Sequence, residues 1–406
     1  MSAPREALRP DLPPSGGSLP RDVILFSTAD WDNPHWTNKQ HLAVRLGRRG
    51  LRVLYLESLG LRRPRANRRD IGRIIRRAYR FLRGPRPVAR GVWLLSPLQI
   101  PYAGYAIVRR CNDTLLAIQI RLVRSWLGFG RSIVWLFNPL SWRVARTLRP
   151  ALTVYQCVDD LAAVPGVPSE VIDQEEQHLL READAVVVTS EPLLQLKGAL
   201  ARRVLLSENA VDYEHFNTPT RVPERLDRIP RPRLGYVGAL SDYKVDLRLL
   251  ASLGARNPEW HIVLVGTIGE GDPDTSLAPL RGLPNVHILG PEPYSMVPGV
   301  LHGFDVCLLP NRLNRYTTAM FPMKFFEYCA SGKPIVSTPL PSLRRHWGSC
   351  YLGSDIDGFE RAIREALCED ASKVEARKSL ALEHDWGQRV ERILQFLTAG
   401  GAGGGE

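Results

Sequence analysis

"FPMKFFEYCASGKPIVSTP", residues 321–339, sets Lys324 and Glu327 three apart inside an otherwise apolar segment. Pro322 suits the first turn of a helix and Gly332 the position just past its end, so a short helix is expected over about 322–331. Pro334 blocks continuation, and "PIVST" has the β-branched character of a buried strand. Phe325, Phe326, Cys329 and Ala330 supply a packing face, while Lys324 and Glu327 are neighbours on another. A cation in the first turn opposes the helix dipole, but with the free N–H groups it makes a phosphate site. One turn deeper, a carboxylate can accept two hydrogen bonds from a ribose diol. The competing reading is an i,i+3 ion pair worth about 0.2–0.5 kcal/mol.

Outward from this stretch, strands and helices alternate twice. From Asp22 the order is strand "VILFST", loop "ADWDNPHWTN", helix "KQHLAVRLGRRG" and strand "LRVLYLES", with "SIVWLF", "ALTVYQCV" and "DAVVVTS" as later strands. This half reads as a parallel α/β sheet. The polar, Pro-rich "NTPTRVPERLDRIPRPR" reads as a linker, after which "RLGYVGAL", "HIVLVG", "VHILG", "VCLLP" and "PIVSTP" restart the alternation. Neither half carries GxGxxG, which disfavours a nicotinamide cofactor. Two such domains create a cleft between strand C-terminal ends, where α/β sheets bind ligands.

The chain has 406 residues, 44% of them hydrophobic, and a formal net charge of +12. Residues 61–90 hold twelve arginines against the single Asp70, so nearly all of that charge sits in one place. There Ile71, Ile74, Ile75, Ala78 and Leu82 form one helical stripe with arginines on the other faces, the pattern of a helix on an anionic membrane surface. A solvated surface helix and a phosphate-binding arm are the competing readings, and recognisable nucleic-acid motifs are missing. No apolar run is long enough to span a bilayer, and residues 1–20 read as a disordered leader rather than a secretory signal. The six scattered cysteines lack CxxC spacing and fit reduced thiols in a cytoplasmic protein; neither a zinc site nor another metal site is expected.

Acid and base candidates lie in the first half. "YQCVDD" ends a strand with Asp159 and Asp160, and adjacent carboxylates can raise one another's pKa and supply a base for an acceptor hydroxyl. Asp159 is the one read as facing the cleft; capping of the next helix is the competing role for the pair. His41, on the first helix, is the other titratable candidate, against a packed or surface role. The loop "DWDNPHWTN" has the composition to stack on an acceptor sugar or to pack on its own domain.

The ordered series "GYVGALSDYK", "HIVLVG", "NVHILGPEPYSMVPGVLHGFDVCLLP", "FPMKFFEYCASGKPIVSTP" and "HDWGQRVERI" resembles the GT-B fold glycosyltransferases, family 4-like, and is similar to teichuronic acid and other polysaccharide biosynthesis enzymes. The resemblance implies two Rossmann-like domains facing each other across a cleft: an acceptor domain over 21–215, a linker over 216–233, a nucleotide-sugar domain over 234–385 and a helix over 386–398 returning to the first domain. It implies that Glu327 holds the ribose, that Lys324, Lys244 and Gly238 meet the diphosphate, and that Met323 and Tyr294 lie near the base. For Gly238 and Lys244, a tight turn and a surface lysine are the plainer roles. The family's paired glutamates would require an acid at 319, where this chain has Ala319, and Ala239 stands where an arginine is often found. Arg312 or Arg315 is the candidate replacement for that charge, unless each is a solvated loop residue. The implied function is sugar transfer from a nucleotide-sugar donor to a lipid-linked or polysaccharide acceptor. It needs no cofactor, binds no nucleic acid, and works at the cytoplasmic membrane face. The rivals are a sugar-nucleotide epimerase or hydrolase and a non-catalytic binding protein.

Overall fold

Apolar residues alternate along each central strand and feed opposite cores, so each sheet must be covered by helices on both faces. In the computed structural model, which describes residues 19–33, 36–58, 79–81, 83–100, 106–269, 272 and 275–399, two such sheets result. The first contains β1 (Asp22–Phe26), β2 (Arg52–Leu56), β3 (Arg86–Ala89), β4 (Val92–Leu95), β5 (Ser132–Leu136), β6 (Leu152–Cys157), β7 (Ala185–Val188) and β8 (Val204–Leu206). Their order is β3-β4-β2-β1-β5-β6-β7-β8. Along β1, Ile24 and Phe26 join one core, while Val23 and Leu25 join the other.

The second sheet contains β9 (Arg233–Val237), β10 (His261–Val265), β11 (Val286–Gly290), β12 (Val306–Leu309), β13 (Ile335–Ser337) and β14 (Tyr351–Leu352), in the order β11-β10-β9-β12-β13-β14. All of its pairs are parallel. Each sheet reverses its winding once, between β1 and β5 and between β9 and β12. Those switch points are where open α/β sheets gather ligands.

Two expectations change. The first sheet is not wholly parallel: β3 pairs antiparallel with β4, and both lie in or beside the stretch read as a basic insertion. A hairpin closing at Arg90 and Gly91 needs no crossover helix, so it sits on the sheet edge. The helical stripe of that insertion lies outside the described residues over 61–78 and at 82. Nor is 216–233 a free linker. Phe216, Leu226 and Ile229 are buried in the second domain's core, so the chain has already changed domains by about residues 207–212. Polar composition misled here because only every few residues face inward.

The chain returns at Val211, whose N–H donates to His384 O (3.0 Å) and whose carbonyl accepts from Trp386 N (3.0 Å). Helix Trp386–Ala399 then docks Trp386, Val390, Ile393 and Leu397 into the first domain's core. Each buried side chain of this kind contributes about 1.5–3 kcal/mol. Two chain crossings at one place make a hinge, and the closing helix fixes the first domain against it.

A candidate nucleotide-sugar site between two strand-end switch points

The helix in the opening stretch spans Lys324–Ala330, two residues later than its Pro322 start signal. Phe325, Phe326, Tyr328, Cys329 and Ala330 are buried in the second domain's core. Tyr328 also accepts a hydrogen bond from Val237 N (3.1 Å), which ties the helix to the last residue of β9. Its charged face is thereby fixed beside Gly238.

Gly238 has φ +141°, and a Cβ there would stand 2.4 Å from Lys324 Nζ. A Cβ on Gly266, at the end of β10, would meet Gly238 O at 1.9 Å. Only glycine allows the two strand ends and the ammonium to crowd together in this way. Lys324 Nζ donates to Tyr236 Oη (2.9 Å), whose hydroxyl donates to Ala239 O (3.0 Å). The ammonium is aimed but not neutralised, since neither bond involves an anion.

Glu327 is half-buried, and no hydrogen bond to its carboxylate is found among the described residues. Burial pushes its carboxyl up to about 7 against the opposing pull of Lys324. Tyr294 lies within electrostatic reach of it, with a buried hydroxyl that also lacks a partner. A half-buried carboxylate without a donor and a buried hydroxyl without a partner thus lie near one another, and both are satisfied by a polyhydroxylated ligand.

Tyr294 also joins the domains. Its ring stacks on Trp36 (5.8 Å between centroids) and on His215 (4.5 Å). Trp36 belongs to the loop read as an acceptor platform, and that loop is anchored where Trp31 N donates to the buried Glu57 carboxylate (3.1 Å). A cleft of about 680 Å³ between the two loops is lined by Trp31, Asp32, Trp36, Glu292, Tyr294 and Ser295. A larger cavity of about 750 Å³ lies by Arg231, Asp305 and Lys333 at the N-terminal ends of β9, β12 and β13, the edge away from which such sheets bind. Met323 packs against the first domain's core and so also sits on the domain boundary.

The catalytic candidates separate. Asp160 is 1% exposed and engaged by Lys197 (3.5 Å) and by Arg315 (2.8 Å) from the second domain. It is a structural ion-pair residue. His41 is 1% exposed, stacked on Trp386 (5.1 Å) and edge-on to Trp36 (5.3 Å). Its Nδ1 faces Arg45 Nη1 (3.2 Å), and a guanidinium can only donate, so that nitrogen is the acceptor and the hydrogen is on Nε2. Burial and then Arg45 hold the ring well below its ordinary pKa. With its one lone pair occupied, His41 is no base; it packs the domain junction. Asp159 is half-buried at the end of β6 and accepts from Tyr316 Oη (3.0 Å) of the second domain.

Arg312 and Arg315 do not replace the missing arginine, because Arg312 pairs with Asp242 (3.0 Å) and Arg315 with Asp160. Ala319 is explained by packing: it is buried in the first domain's core, and its carbonyl accepts from Ser190 Oγ (2.6 Å). A glutamate there would bury a charge in an apolar junction.

Lys39 escaped the sequence reading. It sits in the first turn of helix Asn38–Arg48, which opens where Thr37 N donates to Gln40 Oε1 (3.1 Å). Lys39 is 6% exposed, its ammonium 5.3 Å from the Phe137 ring, and it makes no hydrogen bond among the described residues. Burial lowers its pKa, Asp159 opposes that, and Lys244 adds to it. Lys244 stands over the rings of Tyr243 and Tyr316 (5.2 Å each); burial works against its charge, and Tyr316, Tyr243 and Asp159 more than offset this. Lys39 and Lys244, one from each domain, therefore both lie within electrostatic reach of Asp159. A lysine in a helix start carries no signal in sequence, since its burial depends on the second domain.

Residues 231–369 match the family described as glycosyl transferases group 1. Over 265 residues the chain is 29% identical to the putative teichuronic acid biosynthesis glycosyltransferase TuaH of Bacillus subtilis, a match spanning 60% of this chain and 66% of that protein. Among solved structures, sucrose-phosphate synthase from Thermosynechococcus elongatus aligns with a TM-score of 0.66 at 17% identity, covering 93% of this chain and 98% of that one. HepE from Anabaena, solved with UDP and glucose, aligns with a TM-score of 0.66 at 14% identity over 94% of this chain and all of the other. The chain has the GT-B fold, and residues 231–369 of its second domain are similar to the group 1 glycosyl transferases.

Proposed function

We propose that the protein transfers a sugar from a nucleotide-sugar donor, held by the second domain, to a glycan or lipid-linked acceptor entering past the Trp31–Trp36 loop. The observation that carries this reading is the unpartnered Glu327 carboxylate beside an aimed Lys324 at the β9 strand end. Glu327 accepts the ribose hydroxyls, and Lys324 meets the diphosphate against the Gly238 backbone. Lys39 and Lys244 add positive charge from both domains, so the departing diphosphate is stabilised only when the cleft is closed. Asp159, within electrostatic reach of those two lysines, takes the proton of the acceptor hydroxyl. UDP in the HepE complex and the teichuronic acid assignment of TuaH support a nucleotide donor and a cell-surface polysaccharide product.

The acceptor is taken at a membrane. No helix among the described residues is long and apolar enough to cross one. Helix Ala106–Trp126 instead exposes Ile107, Ile118, Leu122 and Trp126 beside Arg109, Arg110 and Arg121, a composition suited to lying on anionic lipid.

The test is nucleoside diphosphate release from a panel of sugar nucleotides, with and without a lipid extract, in wild type and Glu327→Ala. Release that needs both the extract and Glu327 identifies the donor and supports transfer. Ala319 favours a second reading, a binding protein without catalysis, and donor binding with no release under any condition would establish it.

A further inference from the structure

Three donor groups meet at the hinge, away from the nucleotide site. Glu208 precedes the first chain crossing, His384 belongs to the return crossing, and His346 comes from the 3₁₀ segment Pro341–Ser349 of the second domain. Both imidazoles aim Nε2 at one carboxylate oxygen, Glu208 Oε2: His346 at 2.8 Å and His384 at 3.4 Å. His384 Nδ1 faces Leu380 O (2.9 Å), and a carbonyl only accepts, so Nδ1 carries the hydrogen. Nε2 then presents either a second proton or a lone pair to the carboxylate. A lone pair against an ionised oxygen is repulsive unless a cation stands between them.

We propose that Glu208, His346 and His384 form a divalent transition-metal site that staples the two chain crossings of the hinge. The set is two neutral imidazoles and a carboxylate, a ligand combination zinc takes with one position left to water. Ligand bonds of about 2.0–2.1 Å in a tetrahedron put donor atoms roughly 3.3–3.4 Å apart; His384 Nε2 already stands 3.4 Å from Glu208 Oε2, while His346 Nε2, at 2.8 Å, has to move outward to admit a metal. The His384 Nδ1–H···O=C bond is the outer contact that fixes a ligating histidine's tautomer and aim. Both rings are held by aromatic packing: His384 stacks on Phe326 (4.1 Å, 19°), and His346 lies against Phe321, Phe325 and Phe326. Arg389 is the nearby cation; it is directed to Ser207 and Asn38 and makes no ion pair with Glu208. A second cluster, Asp160, Asp173 and Glu176, is different because Lys197 and Arg315 already occupy it.

The metal would lock Glu208 of the first domain to the second and so bias the angle between domains. The test uses full-length protein without an oligohistidine tag, stripped with chelator and titrated with Zn²⁺ or Co²⁺ at pH 8. The expected result is one equivalent bound, a rise in Tm, and Co²⁺ visible bands of tetrahedral intensity. Affinity should fall by at least about 10²-fold in His384→Ala and in the isosteric Glu208→Gln. Nucleotide binding to each variant confirms that it is folded. Zn²⁺ binding that is absent, or that is equal in wild type and both folded variants, overturns the proposal. So does a Tm that responds to pH between 5 and 8 but not to metal, which would assign the bridging cation as a proton.

Discussion

Glu327 in the second domain and Asp160 in the first are both carboxylates at the C-terminal edge of a sheet, yet one is unpartnered and the other holds two cations. The contrast separates ligand binding from domain assembly. A carboxylate enclosed without a donor destabilises the empty fold, so its retention calls for a ligand. One enclosed with Lys197 and Arg315 is already satisfied, and removing it leaves them unpaired. Lys39 and Lys324 sort similarly against Arg312 and Arg315: among the described residues the lysines make no ion pair, whereas each arginine makes one.

Substitutions test that division, and the largest effect belongs to Glu327. Loss of two hydrogen bonds to a charged acceptor, at about 1.5–3 kcal/mol each, should lower kcat/KM for diphosphate release by on the order of 10²-fold or more in Glu327→Ala. Steady-state kinetics showing less than a threefold loss would move Glu327 to the structural class. Lys39→Met should act in opposite directions on function and stability. Donor affinity falls about tenfold or more with the lost charged contact, while the empty protein gains a few degrees in Tm because an unpartnered buried cation is gone. A lower Tm would mean that Lys39 is paired in solution.

Asp160→Asn should do the reverse. It should cost about 1–3 kcal/mol of stability, discounted because Arg315 is 61% exposed, and leave donor KM within about twofold, as read by denaturant melts and kinetics. The smallest effect is on pH. Ribose hydroxyls donate to the ionised form of Glu327, so nucleotide affinity should rise several-fold between pH 6 and 8, across its raised value of about 7. Because that value lies above the ordinary 4.5, the empty fold loses stability as pH rises from about 4.5 to 7, the interval in which an unfolded chain would already be ionised. Calorimetry on Glu327→Gln should show neither dependence.

Sequence legibility followed the range of the interactions. The Lys324–Ala330 helix, its packing face and its two charges were legible because helix signals and i,i+3 neighbours lie within one short segment. The doubled strand–helix alternation likewise specified two α/β units. The 216–233 stretch was misread because its three inward residues are diluted among charges, and the β3–β4 hairpin because its first strand, Arg86–Ala89, lies at the end of the arginine-rich 61–90 stretch. His41 illustrates the limit: its residue type suggested chemistry, whereas Arg45, Trp36 and Trp386 determine what its nitrogens can do.

By itself, then, the sequence determined the local elements, the two-domain plan and the candidate nucleotide-binding helix, since each depends on residues close along the chain. Tertiary structure alone decided which charges have partners. Asp160 meets Arg315 155 positions away, and Glu208 meets His346 138 positions away. Burial multiplies the strength of a charge's interactions and the cost of leaving it alone, and burial is a property of the folded assembly of both domains rather than of any segment.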